Sequence, residues 1–485
     1  MKRNLVYISA LAIITVAPGC KKYLEQLPDQ RTEVNSPAKV AELLTSAYPR
    51  ANYIPFLEAM SDNANDKGTN NNSRYNRQPW FWEVSSDRDQ DTPDYYWQKA
   101  YAAIAAANQA LMVIENAEDQ SAYRASKGEA LLARAYAHFM LVTIYCKSYD
   151  AASAAKDPGI PYVTKPENVV VEKYERKTVA YVYQQIEKDL TEGLPLIDDN
   201  SYMVAPAYHF TTAAAHAFAT RFYLFKKEYD KVVQHANLTF PAGKALPYLR
   251  PVNTTYNAME ELVLRKEYTR ATQKANLLLV ETQSVWARDL RDNRYGCDPV
   301  LGNLINSRDN PSGGRLSYKV YYTRPEDFFV PKFYELFIRV DQNANIGDPY
   351  DMIPLLTAEE VLFNRAEANT ELGNYEAALA DVNDFLSQRI SGYIATTHNL
   401  TVGKVRNYYG TIDTRSAIIQ TILYFKRIEY MFEGLRWFDI LRHKLPVVHT
   451  SFDGKVKMTL GPNDPRRMVQ IPQEAQLSGL ELNPR

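Results

Sequence analysis

Apolar residues recur at helical spacing over most of this chain, in segments separated by polar stretches rich in Pro, Gly and Asn. Over 95–115, Tyr101, Ile104, Ala105, Leu111 and Ile114 fall near one face of a 3.6-residue helix. Over 127–147, Leu131, Leu132, Ala135, Phe139, Val142 and Ile144 do the same. Gly159-Ile160-Pro161 then breaks the pattern. The spacing predicts a second helix pair over 179–196 and 211–226, a short helix over 229–238, and long helical stretches over 357–389 and 415–443. A first helix is expected after Ser36-Pro37, because Ser caps a helix and Pro fits its first turn. Three segments read differently. Residues 61–94 form a long polar stretch, read as a loop, with Trp80 and Trp82 embedded in it; a loop this long in a compact chain is usually functional or disordered. Residues 240–355 are rich in Tyr, Pro, Asn and Gly, and read as an irregular insert with a few short helices or strands. The tail, 450–485, reads as extended and punctuated by proline.

Residues 359–386 carry a tetratricopeptide pattern, with Leu362, Ala366, Gly373, Tyr375 and Ala378 at its large, small, turn, aromatic and small positions. Small Ala366 and Ala378 let two antiparallel helices approach, Gly373 makes the turn and Tyr375 wedges between neighbours. Residues 212–238 repeat the theme more weakly through Tyr229 and Ala236, and 127–150 more weakly still. One such hairpin cannot bury its own face, so several must stack. The expected architecture is mainly α: a tetratricopeptide-like helix-pair scaffold carrying a loop-rich insert.

The first residues set the compartment. Lys2 and Arg3 precede an apolar run over 5–17, and Gly19-Cys20 follows at once. A basic start, a short apolar middle and a small residue before the cut make a signal peptide. The run is shorter than the roughly 20 residues a spanning helix needs. Cys20, first in the mature chain, reads as a lipidation site, and two or more acyl chains hold a protein stably to a bilayer. Residues 1–19 are then leader, 20–35 a lipidated tether, and 36–485 a single body. Within the body, 36–239 and 356–449 are scaffold, and 240–355 is the insert. With 56 basic against 57 acidic residues among 485, the chain lacks the strong positive charge of an electrostatic nucleic-acid binder. Its three cysteines make neither a disulfide framework nor a zinc site. Asp87, Asp89 and Asp91 alternate like the start of a calcium loop, but Thr92 and Gln98 stand where an EF-hand needs Gly and Glu. No metal or cofactor is expected. No GxSxG, P-loop, GxGxxG or HExxH is present, so no catalytic residue is marked and the chain is not read as an enzyme.

The ordered blocks of the chain resemble the SusD/RagB family over essentially the whole mature length. Cys20-Lys21-Lys22-Tyr23-Leu24 opens it. Trp97, Tyr101 and Asn108 match the first long helix, and Glu129 to Ala135 the next. Arg365-Ala366-Glu367-Ala368 follows, then Arg427, Phe432-Glu433-Gly434 and Arg436-Trp437-Phe438-Asp439, and Ile471-Pro472-Gln473-Glu474 closes the series. The resemblance implies a lipid-anchored, surface-exposed outer-membrane protein. It would sit as a lid on a SusC-like TonB-dependent barrel, capture a glycan and deliver it for import. The RagB branch implies an oligopeptide instead; a scaffold that binds only protein is the reading from another class.

Against that background the polar stretch supplies the first ligand candidates. A sugar ring packs its C–H face on a flat aromatic and leaves its hydroxyls for polar groups. Tyr75, Trp80 and Trp82, with Asp62, Asn72 and Arg74, offer both. The alternative is that the tryptophans anchor the loop on the body. Trp286 and Tyr295 of the insert form a second aromatic cluster that would line the same groove; the alternative for Trp286 is a core position. Trp437 is read as core, Cys146 as a buried thiol, and Arg436 with Glu433 as a helix ion pair.

Overall fold

The computed structural model describes residues 34–167, 172–341 and 344–485. The leader, Cys20 and the tether through residue 33 lie outside the described residues. Helix α1 (Pro37–Leu44) starts where expected: the Ser36 side chain accepts from the Lys39 N–H, and Pro37 sits in the first turn. The stretch read as a loop is more ordered than predicted. Helix α2 (Ile54–Met60) ends just before it, and the stretch itself holds strand β1 (Asn65–Asp66) and helix α3 (Arg74–Trp80).

Long helices follow: α4 (Pro93–Glu115), α5 (Arg124–Tyr145), α6 (Val179–Gly193), α7 (Thr212–Lys226) and α8 (Tyr229–Thr239). Threonine caps α4, α6 and α7. Thr92, Thr178 and Thr211 accept from the N–H groups of Tyr95, Tyr181 and Ala214, satisfying donors the first turn leaves free. From Gly128 to Tyr145 every residue of α5 is buried, so this is the central helix of the scaffold. It crosses α6 at a glycine pair. A Cβ on Gly128 would lie 2.9 Å from the Gly193 carbonyl oxygen, a distance real side chains do not tolerate.

The insert carries more regular structure than its weak periodicity predicted. Strands β2 (Asn276–Gln283), β6 (Glu335–Arg339) and β7 (Gly347–Thr357) form an antiparallel sheet in the order β2-β7-β6. A single helical turn, α9 (Trp286–Asp289), leads from β2 to β3 (Tyr295–Gly296), which pairs with β1. A small hairpin, β4 (Tyr321–Arg324) with β5 (Asp327–Phe329), lies beyond. The edge strand β6 projects with Leu336, Phe337 and Ile338 exposed, and Val340 and Ile346 are exposed beyond its end.

The tetratricopeptide unit divides where its pattern placed the turn, into α10 (Ala358–Glu371) and α11 (Tyr375–Ser387), with Gly373 between them at φ +80°. The next stretch divides into α12 (Thr414–Glu429) and α13 (Arg436–Arg442), because Phe432 and Gly434 both take positive φ. That break overturns the expected Glu433–Arg436 pair. Glu433 receives Lys332 at 2.6 Å, and Arg436 reaches Asp62. In the tail, residues read as extended supply most of a hairpin, β8 (Val447–Thr450) with β9 (Lys457–Leu460). Scaffold and insert meet in a buried ionic knot. Arg389 donates to Glu429 at 2.9 and 3.0 Å, to Glu359 at 3.0 Å and to the Arg250 carbonyl at 2.7 Å. Arg250 binds the other oxygen of Glu359 at 2.8 Å. The fold is mainly α, with its small sheets drawn mostly from the insert and tail and joined by β1 of the polar stretch.

Candidate functional site

The two aromatic clusters picked out in sequence do meet, but inward. Trp80 closes α3 and is fully buried, its indole N–H donating to the Ala64 carbonyl at 3.0 Å. One face of its ring stacks on Tyr295, 4.4 Å between centroids. It also stacks on His449 from β8, at 4.8 Å and 3°. Trp82, two residues on and at φ +52°, stacks on His449 as well, at 4.5 Å, and donates to the Met60 carbonyl. His449 is thus held by two indoles and by two carbonyls, Trp80 at 2.8 Å from Nδ1 and Ser61 at 2.9 Å from Nε2. Burial lowers its pKa, against the pull of those carbonyls. Trp286 is buried too and donates to the Phe432 carbonyl at 3.0 Å. The open stacking faces expected of Trp80, Trp82, Trp286 and Tyr295 are therefore covered by protein. Trp80 and Trp82 anchor the polar stretch, and the physical reason is the imidazole slotted between them.

Above this stack lies a polar face. Asn76 pins it: its amide donates to the Tyr295 carbonyl at 2.7 Å and accepts the Tyr295 N–H at 3.0 Å. One residue earlier, the Tyr75 hydroxyl lies 2.7 Å from Asp289 Oδ2 and 3.0 Å from Asn293 Oδ1. Burial, then the Asp289 charge, raises the Tyr75 pKa well above its ordinary value. Asn293 Nδ2 is buried with no protein partner. Arg294 forks onto Asp66 at 2.7 and 3.0 Å. Burial pushes the Asp66 carboxyl up, but Arg294 and two backbone N–H groups outweigh it and hold the pKa below the usual range. Asn72 and Arg74 stand exposed beside Tyr75. Asp62 does not share this face. It is half-buried and takes both Arg436 nitrogens at 2.8 and 2.9 Å, so it ties the polar stretch to α13. Of the residues singled out in sequence, the structure brings Asn72, Arg74 and Tyr75 to one surface. The partners that complete it, Asp66, Asp289, Asn293 and Arg294, carry no local signal, because it is the β1–β3 pairing that brings them there.

This surface offers carboxylate, guanidinium, amide and hydroxyl groups side by side, the donors and acceptors that a hydroxyl-rich ligand requires. Among the described residues no cluster of three or more His, Cys, Asp or Glu side chains could hold a metal. Two open cavities lie elsewhere. One of about 570 Å³ is lined by Trp97, Tyr101, Pro161 and Tyr174, and one of about 320 Å³ by Lys147, Asp157, Lys444 and Arg467. None of the sequence-predicted site residues lines either.

A family model described as starch-binding and associating with the outer membrane matches residues 22–224, and a second, described as the SusD family, matches 341–478. The chain belongs to the SusD/RagB family. Solved SusD structures share its fold. A SusD superfamily protein from Bacteroides thetaiotaomicron VPI-5482 is 18% identical with a TM-score of 0.67, over 93% of this chain and 100% of that one. A SusD-like carbohydrate-binding protein from Bacteroides vulgatus ATCC 8482 is 18% identical with a TM-score of 0.66, over 92% and 96%. A SusD superfamily protein from Bacteroides fragilis is 18% identical with a TM-score of 0.66, over 91% and 98%. No curated protein matches the chain.

Proposed function

We propose that this SusD-family protein is a surface-anchored glycan-binding lipoprotein of an outer-membrane importer. Acylated Cys20 ties it to the bilayer, residues 20–35 act as tether, and the body over 36–485 rests on a SusC-like TonB-dependent barrel to which it delivers its ligand. The observation that carries the reading is the match to the starch-binding, membrane-associating family model, which begins just past Cys20. A structural relative named as carbohydrate-binding supports it. So does the polar face, where Asn72, Arg74 and Tyr75 contact the ligand with Asp289 and Asn293 behind them. Trp80, Trp82, Trp286 and Tyr295 serve as its rigid floor. Binding is by hydrogen bonds and ring packing; no covalent step is involved and no cofactor is needed.

The test is affinity electrophoresis of the protein lacking residues 1–20 through gels containing soluble starch, dextran, xylan or galactomannan, followed by titration calorimetry with any polysaccharide that retards it. The expected result is saturable binding to one glycan, weakened in Asn72→Ala and Arg74→Ala. Binding to a mixed oligopeptide pool, with no glycan bound, would overturn the glycan reading and favour the RagB-like one.

A further inference from the structure

The aromatic faces predicted in sequence are covered, yet one large ring close to the polar face is not. Phe452, in the turn between β8 and β9, is 69% exposed. It does not project freely. Its ring lies directly on the backbone of Gly68: a Cβ built there would sit 2.6–2.9 Å from three ring atoms. Gly68 takes φ +69°, so the position suits glycine twice over. The turn holding the ring is braced. The Phe452 N–H donates to Asp66 Oδ2 at 3.1 Å, the Ser451 hydroxyl donates to Asp453 at 2.7 Å, and the Ser451 N–H donates to the Val456 carbonyl at 2.8 Å. One face of the ring is seated on backbone and the other looks into solvent.

The surroundings fit a particular guest. Asp66, which holds the Phe452 backbone, is the carboxylate that Arg294 grips. Arg294 uses Nε and Nη2 for that grip, and among the described residues Nη1 has no acceptor. Its charge also feels Asp453, the residue after the ring. An aromatic face held rigidly, flanked by a guanidinium edge and the exposed Asp453 carboxylate with its Lys455 partner at 3.1 Å, suits a ring that is apolar on one side and hydroxylated around its rim.

We propose that Phe452 is a stacking platform for a pyranose ring, with Arg294 and Asp453 binding the sugar's peripheral hydroxyls. Holding the ring flat on Gly68 removes the freedom a side chain would otherwise lose on binding. This site rests on the glycan reading above and names an aromatic contact within it.

The experiment compares wild type, Phe452→Ala and Phe452→Trp, each lacking residues 1–20, in the same gels of soluble starch, dextran, xylan and galactomannan. Circular dichroism checks that each variant is folded. The expected result is that the polysaccharide that retards wild type binds Phe452→Ala at least tenfold more weakly, while Phe452→Trp binds as well or better. Equal binding by wild type and Phe452→Ala would overturn the platform and leave the glycan reading standing. If no polysaccharide retards wild type, the platform and the glycan reading fall together.

Discussion

A pair of buried acids makes the stability of this protein depend on pH in the direction opposite to most carboxylates. Asp91 precedes α4 and Asp351 lies on β7; both are buried. Each accepts at Oδ2 from a backbone N–H of the turn around α9, Asp91 from Val285 and Asp351 from Ala287, both at 2.8 Å. Each leaves Oδ1 buried with no hydrogen-bond partner. Ser284 is their shared neighbour. Its oxygen accepts from Asn52 at 3.0 Å and from the Trp286 N–H at 3.1 Å, so it has one proton to offer two carboxyls. Asp289 and Glu335 add negative charge, and Arg288, which also feels Asp351, is committed to Glu335 at 2.6 and 2.8 Å. Burial is the largest cause of the shift: Asp91 is pushed up to about 7, and Asp351 well above the usual carboxylate range.

The folded state therefore keeps a proton that the unfolded chain, with an Asp pKa near 3.9, gives up. Stability from this source is full below about pH 4 and is lost as pH rises toward 7. For Asp91 alone, the difference between pH 5 and pH 8 comes to about 3 kcal/mol. Asp91→Asn keeps the neutral shape and abolishes the titration. Urea denaturation of both proteins at pH 5, 6, 7 and 8 isolates the pair, since titrations outside Asp91 and Asp351 are common to both. The variant's advantage over wild type should grow by about 3 kcal/mol from pH 5 to pH 8. Parallel curves, with a constant offset at all four values, would refute the argument.

Three other outcomes are expected. Arg389→Met leaves the buried Glu429 without its guanidinium and should cost about 3–5 kcal/mol by denaturant titration. Gly128→Ala drives a methyl into the Gly193 carbonyl and should cost about 1–3 kcal/mol, visible as a lower urea midpoint with unchanged slope. Ile338→Lys, on the exposed edge strand, should leave the melting temperature unchanged and raise the concentration at which light scattering first detects aggregates.

The long helices were legible because tertiary packing there follows local periodicity, and α10 with α11 was legible in detail because Ala366, Gly373 and Ala378 each answer a local need. Strand β2 was not. Leu277 to Val280 is buried in a row, and so short an apolar run has no period to read. Helix α3 was missed because it is polar, contains Pro79, and is held by Asn76 gripping the backbone of Tyr295. The site divides along the same line. Tyr75, Arg74 and Asn72 could be nominated from one stretch of chain. The orientation of Trp80 and Trp82 could not, because the imidazole between them comes from a residue 369 positions after Trp80. A tryptophan beside asparagines reads alike in sequence whether its ring faces a ligand or a histidine.

The chain has five tryptophans, and Trp80, Trp82, Trp97, Trp286 and Trp437 are all buried. Its fluorescence is in consequence a property of the core. The native emission should be blue-shifted, should move to the red only as the protein unfolds, and should stay nearly unchanged when a ligand settles on Phe452 or Tyr75, whose rings are not indoles. Intrinsic emission is therefore a clean thermometer of folding for every variant above except Phe452→Trp, which adds an exposed indole, with occupancy of the binding face read by gel retardation and calorimetry.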